Sequence, residues 1–199
     1  MSLKSPSKNF DQKSPSKPKA SFAFSSANQK KIKDYIASYP KERSALLPIL
    51  DLAQRQNNGW LSREAIEEVA DILKLEPLEV WSVASFYTLF NLQPVGKYLI
   101  QICRTTSCWL CGSDRIRKAC EQWLGISIGE TTADGMFTLK EVECLGACAN
   151  APMVQINDTY YEDLSPDSMI LILDALVEGT VPKGGSQIGR HGSKPWKDM

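Results

Sequence analysis

Six cysteines are the residues in this 199-residue chain best suited to chemistry, and all six fall between positions 103 and 148. Four make two pairs, Cys103-x4-Cys108 and Cys144-x3-Cys148, with 35 residues between the pairs; Cys111 and Cys120 are left over. Each pair leaves a predicted strand and enters a loop, so thiolates from two chain segments can converge on one site. Four thiolates are the ligand set of a [2Fe-2S] cluster. Cys108 opens a predicted helix, where free N–H groups favour a thiolate and an anionic cluster. No apolar stretch of signal-peptide type follows the N-terminal lysines, so a reducing compartment is expected, which favours metal or redox roles over disulfides.

Three other assignments compete for the same residues. Cys103-x4-Cys108-x2-Cys111 with a distant fourth cysteine is the plant-type ferredoxin spacing and predicts the same cluster with different ligands. Against it, the stretch from Leu110 to Leu124 reads as helix, with Ile116, Cys120 and Trp123 on its apolar face. Cys108-Trp-Leu-Cys111 is also a C-x-x-C at the start of a helix, the arrangement of a stand-alone dithiol oxidoreductase, but that reading leaves Cys103, Cys144 and Cys148 without a task. Zinc would accept four cysteines, yet the x4 and x3 spacings are not the usual C-x2-C of structural zinc sites, and the single His191 lies in a tail. Cys120, on the helix's apolar face, reads as a small buried residue, and Cys111, beside the site, as a small buried or surface residue.

The elements that must position these residues fall into two parts. From Asn28 to Asn91 the apolar period is helical, which predicts a helix through Ile32, Tyr35, Ile36 and Tyr39 and a second from about Ser44 to Gln56. A third is capped by Ser62 and carries Ile66, Val69, Ala70 and Leu73; a fourth begins at Pro77, with Val80, Val83, Ala84 and Tyr87 on one face. Trp81, Phe86 and Phe90 are expected to pack inside this bundle, with a surface for a partner as the alternative. Beyond Pro94 and Gly96 the period changes. Strands are predicted at Tyr98–Cys103, Phe137–Val142 and Met153–Ile156, a helix over Trp109–Leu124, a turn at Asn157-Asp158 leading to Tyr160-Tyr161, and a last helix from Ser165 and Pro166 to Gly179. Strand, helix, strand, strand, helix suggests an α/β sandwich of thioredoxin type. The expected organisation is a disordered tail over 1–26, a helical domain over 27–93, a thioredoxin-like [2Fe-2S] domain over 94–181 and an extended tail over 182–199, an α+β protein overall.

Composition narrows the function. The longest run of large apolar residues, Met169 to Leu173, is far short of a membrane span. Formal charge sums to zero, but residues 1–20 carry five lysines against one aspartate and residues 182–199 four basic groups against one, leaving −7 for the body between them. An acidic body argues against nucleic-acid binding. The Ser/Lys/Pro-rich start is poor in acid, as mitochondrial presequences are, yet has no arginine before Arg43 and no clear amphipathic period.

Four segments carry a family resemblance: Cys103-Arg-Thr-Thr-Ser-Cys108, Gly125-Ile-Ser-Ile-Gly-Glu-Thr-Thr-Ala-Asp-Gly135, Glu143-Cys-Leu-Gly-Ala-Cys-Ala-Asn-Ala-Pro152 and Asn157-Asp-Thr-Tyr-Tyr-Glu-Asp-Leu164. With Gly59-Trp-Leu-Ser62 and Ala84-Ser-Phe-Tyr-Thr-Leu-Phe-Asn91, the chain resembles the thioredoxin-like [2Fe-2S] subunit family of NADH:quinone oxidoreductase, respiratory complex I, over roughly residues 28–199. The resemblance implies that Cys103, Cys108, Cys144 and Cys148 ligate one [2Fe-2S] cluster that accepts an electron from the FMN of a partner NADH-oxidising subunit. It further implies a place in the peripheral arm of the complex, on the cytoplasmic side of a bacterial inner membrane or the matrix side of a mitochondrial one. The homologous subunit of an NAD-linked hydrogenase or formate dehydrogenase is the neighbouring reading. No G-x-G-x-x-G occurs, consistent with nucleotide sites on a partner. Cys111 stands where relatives usually have a polar residue. Arg104 is expected to be a solvated surface charge, with the cluster's negative charge or a carboxylate on another subunit as the alternative partner.

Overall fold

The computed structural model describes residues 22–190. The expectations for residues 1–21, for 191–199 and for His191 lie outside that span. Residues 22–25, expected in the tail, form no regular element but bring Phe24 into the helical core, with Phe22 packed edge-on against it.

Four helices form the first part. Helix α1 spans Ser26–Ala37 and is capped by the Ser25 hydroxyl, which accepts from the Asn28 amide. A single 3-10 turn, Glu42–Ala45, precedes α2, Leu46–Gln56, so the helix expected from about Ser44 begins as 3-10 and keeps Pro48 in its first α turn. Helix α3, Arg63–Leu73, is capped by Ser62 and buries Ala65, Ile66, Val69, Ala70 and Leu73, the face its period predicts. Helix α4, Pro77–Phe86, starts on its proline but buries only Val80 and Ala84. Here the sequence expectation needs correction: Phe90 is buried, but Trp81 is 41% and Phe86 77% exposed. Apolar residues lie all around α4, so their period does not tell which stripe meets α3.

The second part is a five-stranded sheet in the order β2-β1-β3-β4-β5. Strand β1, Tyr98–Cys103, runs parallel to β2, Phe137–Val142, with Tyr98 opposite Phe137 and Cys103 opposite Val142. Parallel neighbours require a crossover, which two helices supply: α5, Thr106–Leu110, and α6, Ser113–Leu124. The one helix expected over 109–124 is broken at Gly112, whose φ of 95° lies in the left-handed region. Strand β3, Val154–Ile156, pairs antiparallel with β1 and turns at Asn157 into β4, Thr159–Glu162. Helix α7, Pro166–Val177, carries a capping box in which Ser165 and Ser168 exchange bonds. Together α6 and α7 bury Ile116, Cys120, Met169, Ile172 and Leu173 against Ile100, Ile102, Leu139 and Val154. Residues 182–190, within the expected extended tail, lie against the sheet: Gly185–Ser186 is β5, parallel to β4.

The two cores are separate clusters joined by polar contacts. Asn91, itself buried, donates to the Gly59 carbonyl at 2.8 Å and accepts from Lys140 Nζ at 2.6 Å. Gly96 N–H donates to Thr138 Oγ1, and Arg55 grips Asp158 through both terminal nitrogens at 2.7 and 3.0 Å. Among the described residues, no helix is long and apolar enough to cross a membrane.

Candidate metal centre

The parallel register of β1 and β2 brings the cysteine pairs together. Cys103 ends β1 opposite Val142, and Cys144 follows Val142 by two residues, so both chain segments leave the sheet at the same end. After Cys103 the chain turns through Arg104 and Thr105 into α5, which returns Cys108 to the end of the strand it just left. After Cys144 the turn at Gly146, with φ of 88°, leads into a short 3-10 turn, Cys148–Asn150, that returns Cys148. Open space surrounds the position a Cβ would take on Gly146, so glycine is required there by backbone conformation rather than by crowding.

Cys103 and Cys108 are buried and pack with Met153, flanked by Leu145, Ala147, Ala151 and Tyr160. Cys144 and Cys148 are exposed, with their sulfurs 3.4 Å apart. Cys103 Sγ lies 3.3 Å from the Thr105 hydroxyl and within hydrogen-bonding reach of Cys108. Cys144 reaches Thr105 and Cys103 as well as Cys148, and Cys108 feels the charge of both Cys103 and Cys148. Four thiols therefore face one another at this end of the sheet.

Their acidities alternate. Burial pushes Cys103 up, but the Thr105 hydroxyl and amide, the Leu145 amide and Cys108 together outweigh it and leave the thiol below its ordinary value. Burial, and then the hydrogen bond to Cys103, push Cys108 up to about 12. Cys144 is lowered, first by the Gly146 amide and then by Cys148, and Cys148 is raised by its bond to Cys144 and by that neighbour's charge. Each pair thus favours charge on one sulfur while its neighbour keeps a proton, a property of the pair rather than of either thiol. Iron in place of the protons would take all four as thiolates.

This donor set fits a two-iron cluster. Soft thiolates suit iron–sulfur chemistry, and the amides of Thr105, Leu145, Gly146 and Met153 aim at sulfur, the polar shell an anionic cluster needs. Among the described residues, no three His, Cys, Asp or Glu side chains converge as a single ion requires. Cys111 is exposed at the far end of α5, and Cys120 is fully buried under the sheet. Arg104 pairs with Glu141 at 3.5 Å and remains 61% exposed. Thr105 meets Cys103 through the turn that follows it, whereas Met153 and Tyr160, whose hydroxyl donates to the Leu145 carbonyl at 2.9 Å, come to the cysteines by strand register, which residue spacing does not reveal. A cleft of about 670 Å³ lies at the joint between the two parts, and a second of about 320 Å³ runs from it to Cys144.

Residues 32–177 match the thioredoxin-like [2Fe-2S] ferredoxin family, a stretch that holds α2 to α7, the first four strands and all six cysteines. The chain belongs to that family. Among relatives of this ferredoxin, the E subunit of the NADH-quinone oxidoreductase of Rickettsia conorii is 57% identical over 157 residues, 78% of this chain and 94% of that protein. The mitochondrial NADH dehydrogenase [ubiquinone] flavoprotein 2 of Dictyostelium discoideum is 49% identical over 175 residues, 87% of this chain and 71% of that one. Among solved structures, a chain of an NAD+-reducing [NiFe]-hydrogenase superposes with a TM-score of 0.58 at 21% identity. That match covers 74% of this ferredoxin but only 24% of the hydrogenase chain, and shows a shared fold alone.

Proposed function

We propose that this ferredoxin is the electron-transfer subunit of an NADH:quinone oxidoreductase. In this reading Cys103, Cys108, Cys144 and Cys148 hold its cluster, which exchanges one electron with the FMN of a partner NADH-oxidising subunit. The observation that carries the ligand assignment is the parallel β1–β2 register, which delivers both cysteine pairs to one end of the sheet. The [2Fe-2S] cluster supplies a one-electron couple there. Around it, the amides on Cys103, Cys108 and Cys144 favour negative charge on sulfur and so raise the ease of reduction. Met153, Leu145 and Tyr160 keep water from the buried pair, while the exposed pair faces the surface a redox partner can approach. The high identity to the Rickettsia conorii protein over nearly its whole length supports the assembly, and with it the peripheral arm, on the cytoplasmic side in a bacterium or the matrix side in a mitochondrion.

The test is the metal and sulfide content of anaerobically purified protein, with electron paramagnetic resonance before and after dithionite, on wild type and Cys111→Ser. Two irons and two sulfides per chain, with an S = 1/2 signal that survives the substitution, support the four ligands. Zinc, or disulfide reductase activity that dies with Cys111, overturns them. For the FMN step, NADH should reduce the cluster only when the flavin subunit is added. Reduction of the isolated chain by NADH would overturn the division of labour.

A further inference from the structure

The docked C-terminal residues reach the turn that carries Cys148. Strand β5 extends the sheet beside β4, Gln187 N–H donates to the Glu162 carbonyl at 2.9 Å, and the Tyr161 hydroxyl donates to the Pro182 carbonyl at 3.1 Å. At the end of β5 the Ser186 hydroxyl donates to Asp163 Oδ2 at 2.6 Å and accepts from the Arg190 amide at 2.9 Å. That folds the chain back so that the Arg190 guanidinium spans two acceptors: Asp163 Oδ1 at 3.1 Å and the Ala149 carbonyl at 2.7 Å. Ala149 is the residue after Cys148. Asp163 is bound to the same turn through its own amide, which donates to the Asn150 carbonyl at 2.7 Å.

We propose that Arg190 is a positioning residue for the cluster, acting through Ala149 and Asp163 to hold the turn that presents Cys148. The inference rests on Cys148 being a ligand. Cys148–Asn150 is a single 3-10 turn with one bond of its own, Asn150 N–H to the Ala147 carbonyl, so its conformation depends on ties from outside. Arginine suits this tie because its planar fork serves a carboxylate and a carbonyl at once, which a lysine ammonium does not. The Asp163 side chain is only 3% exposed, so it depends on the guanidinium and Ser186 in place of water. The fork also sets a fixed positive charge behind an anionic centre, where it favours the reduced state.

The experiment uses the full chain with its cluster, as wild type, Arg190→Ala, Arg190→Lys and the control Ile188→Ala, an exposed side chain on the same strap. Three quantities are read: the rate of iron release to a chelator, the reduction potential from an EPR-monitored titration, and the unfolding midpoint. In Arg190→Ala, iron release should be about tenfold faster, the size expected when a partner of a metal ligand is lost, and the potential should fall. Arg190→Lys should recover most of the potential and little of the retention, and Ile188→Ala should behave as wild type. Wild-type release and potential in Arg190→Ala would overturn the inference, as would a lower unfolding midpoint with release and potential unchanged, the pattern of a merely structural contact. A wild-type chain that binds no cluster would remove the ligand reading, and this inference with it. A loaded wild type with unaltered variants removes this inference alone.

Discussion

Cys120 lies under the sheet in the same core as Ile116, Phe137 and Leu173, and burial pushes its thiol up to about 12. An acid whose folded pKa is raised favours folding while it keeps its proton. The unfolded chain releases that proton from near its ordinary value of 9.0, so this contribution is whole below about pH 9 and is lost progressively as pH rises toward 12. The slope approaches about 1.4 kcal/mol per pH unit in that window. The urea midpoint of wild type should therefore fall more steeply between pH 8.5 and 10.5 than that of Cys120→Ala; parallel curves would show that the thiol does not couple to folding. Spacing alone separates Cys120 from the paired cysteines, because a residue four after Ile116 on a helix falls on its apolar face. What spacing does not reveal is the company the pairs keep. Thr105 meets Cys103 through a turn, whereas Tyr160 and Arg190 reach the site from a strand and a strap remote in sequence.

At the level of elements, what was legible is what local chemistry writes. Ser62 and Ser165 as caps, Pro77 and Pro166 as first helical residues, and Asn157 as the hairpin turn all stand where their side chains alone place them. What depends on neighbours was not legible. The exposed face of α4 is as apolar as its buried one, and the break between α5 and α6 hides inside a stretch whose period reads as one helix. That break matters for the site, since α5 carries Cys108. Gly112 adopts a left-handed φ of 95°, and an added Cβ would meet only the flexible end of Arg115, at 2.8 Å. Gly112→Ala should therefore be limited by backbone strain, a cost of about 1 to 2 kcal/mol, read as a lower urea midpoint in chains that still fold. A midpoint equal to that of wild type would mean the two helices join without strain.

The molecule as a whole is two cores held by a polar joint, and the strength of that joint resides in the buried contacts. Arg55 and Asp158 make the more conspicuous pair, with two bonds, but their side chains are 55% and 70% exposed and water screens them. Removing Arg55 should cost at most about 1 kcal/mol. Asn91 makes as many bonds through its side chain and has more at stake. Its side chain satisfies the Gly59 carbonyl in the helical part and Lys140 Nζ in the sheet, and burial already works against the Lys140 charge, lowering its pKa. Asn91→Ala leaves both groups without that partner, a cost of about 1 to 3 kcal/mol, and it does so beside the connection through Val95 and Gly96 that ties one part to the other. Hydrogen exchange separates the two cases. The Gly96 amide, bonded to Thr138 Oγ1 at 2.7 Å where the connection enters the sheet, should exchange faster in Asn91→Ala and at the wild-type rate in Arg55→Ala. If Arg55→Ala opens Gly96 as much as Asn91→Ala does, the exposed ion pair rather than the buried amide governs how the helical part is held against the ferredoxin sheet.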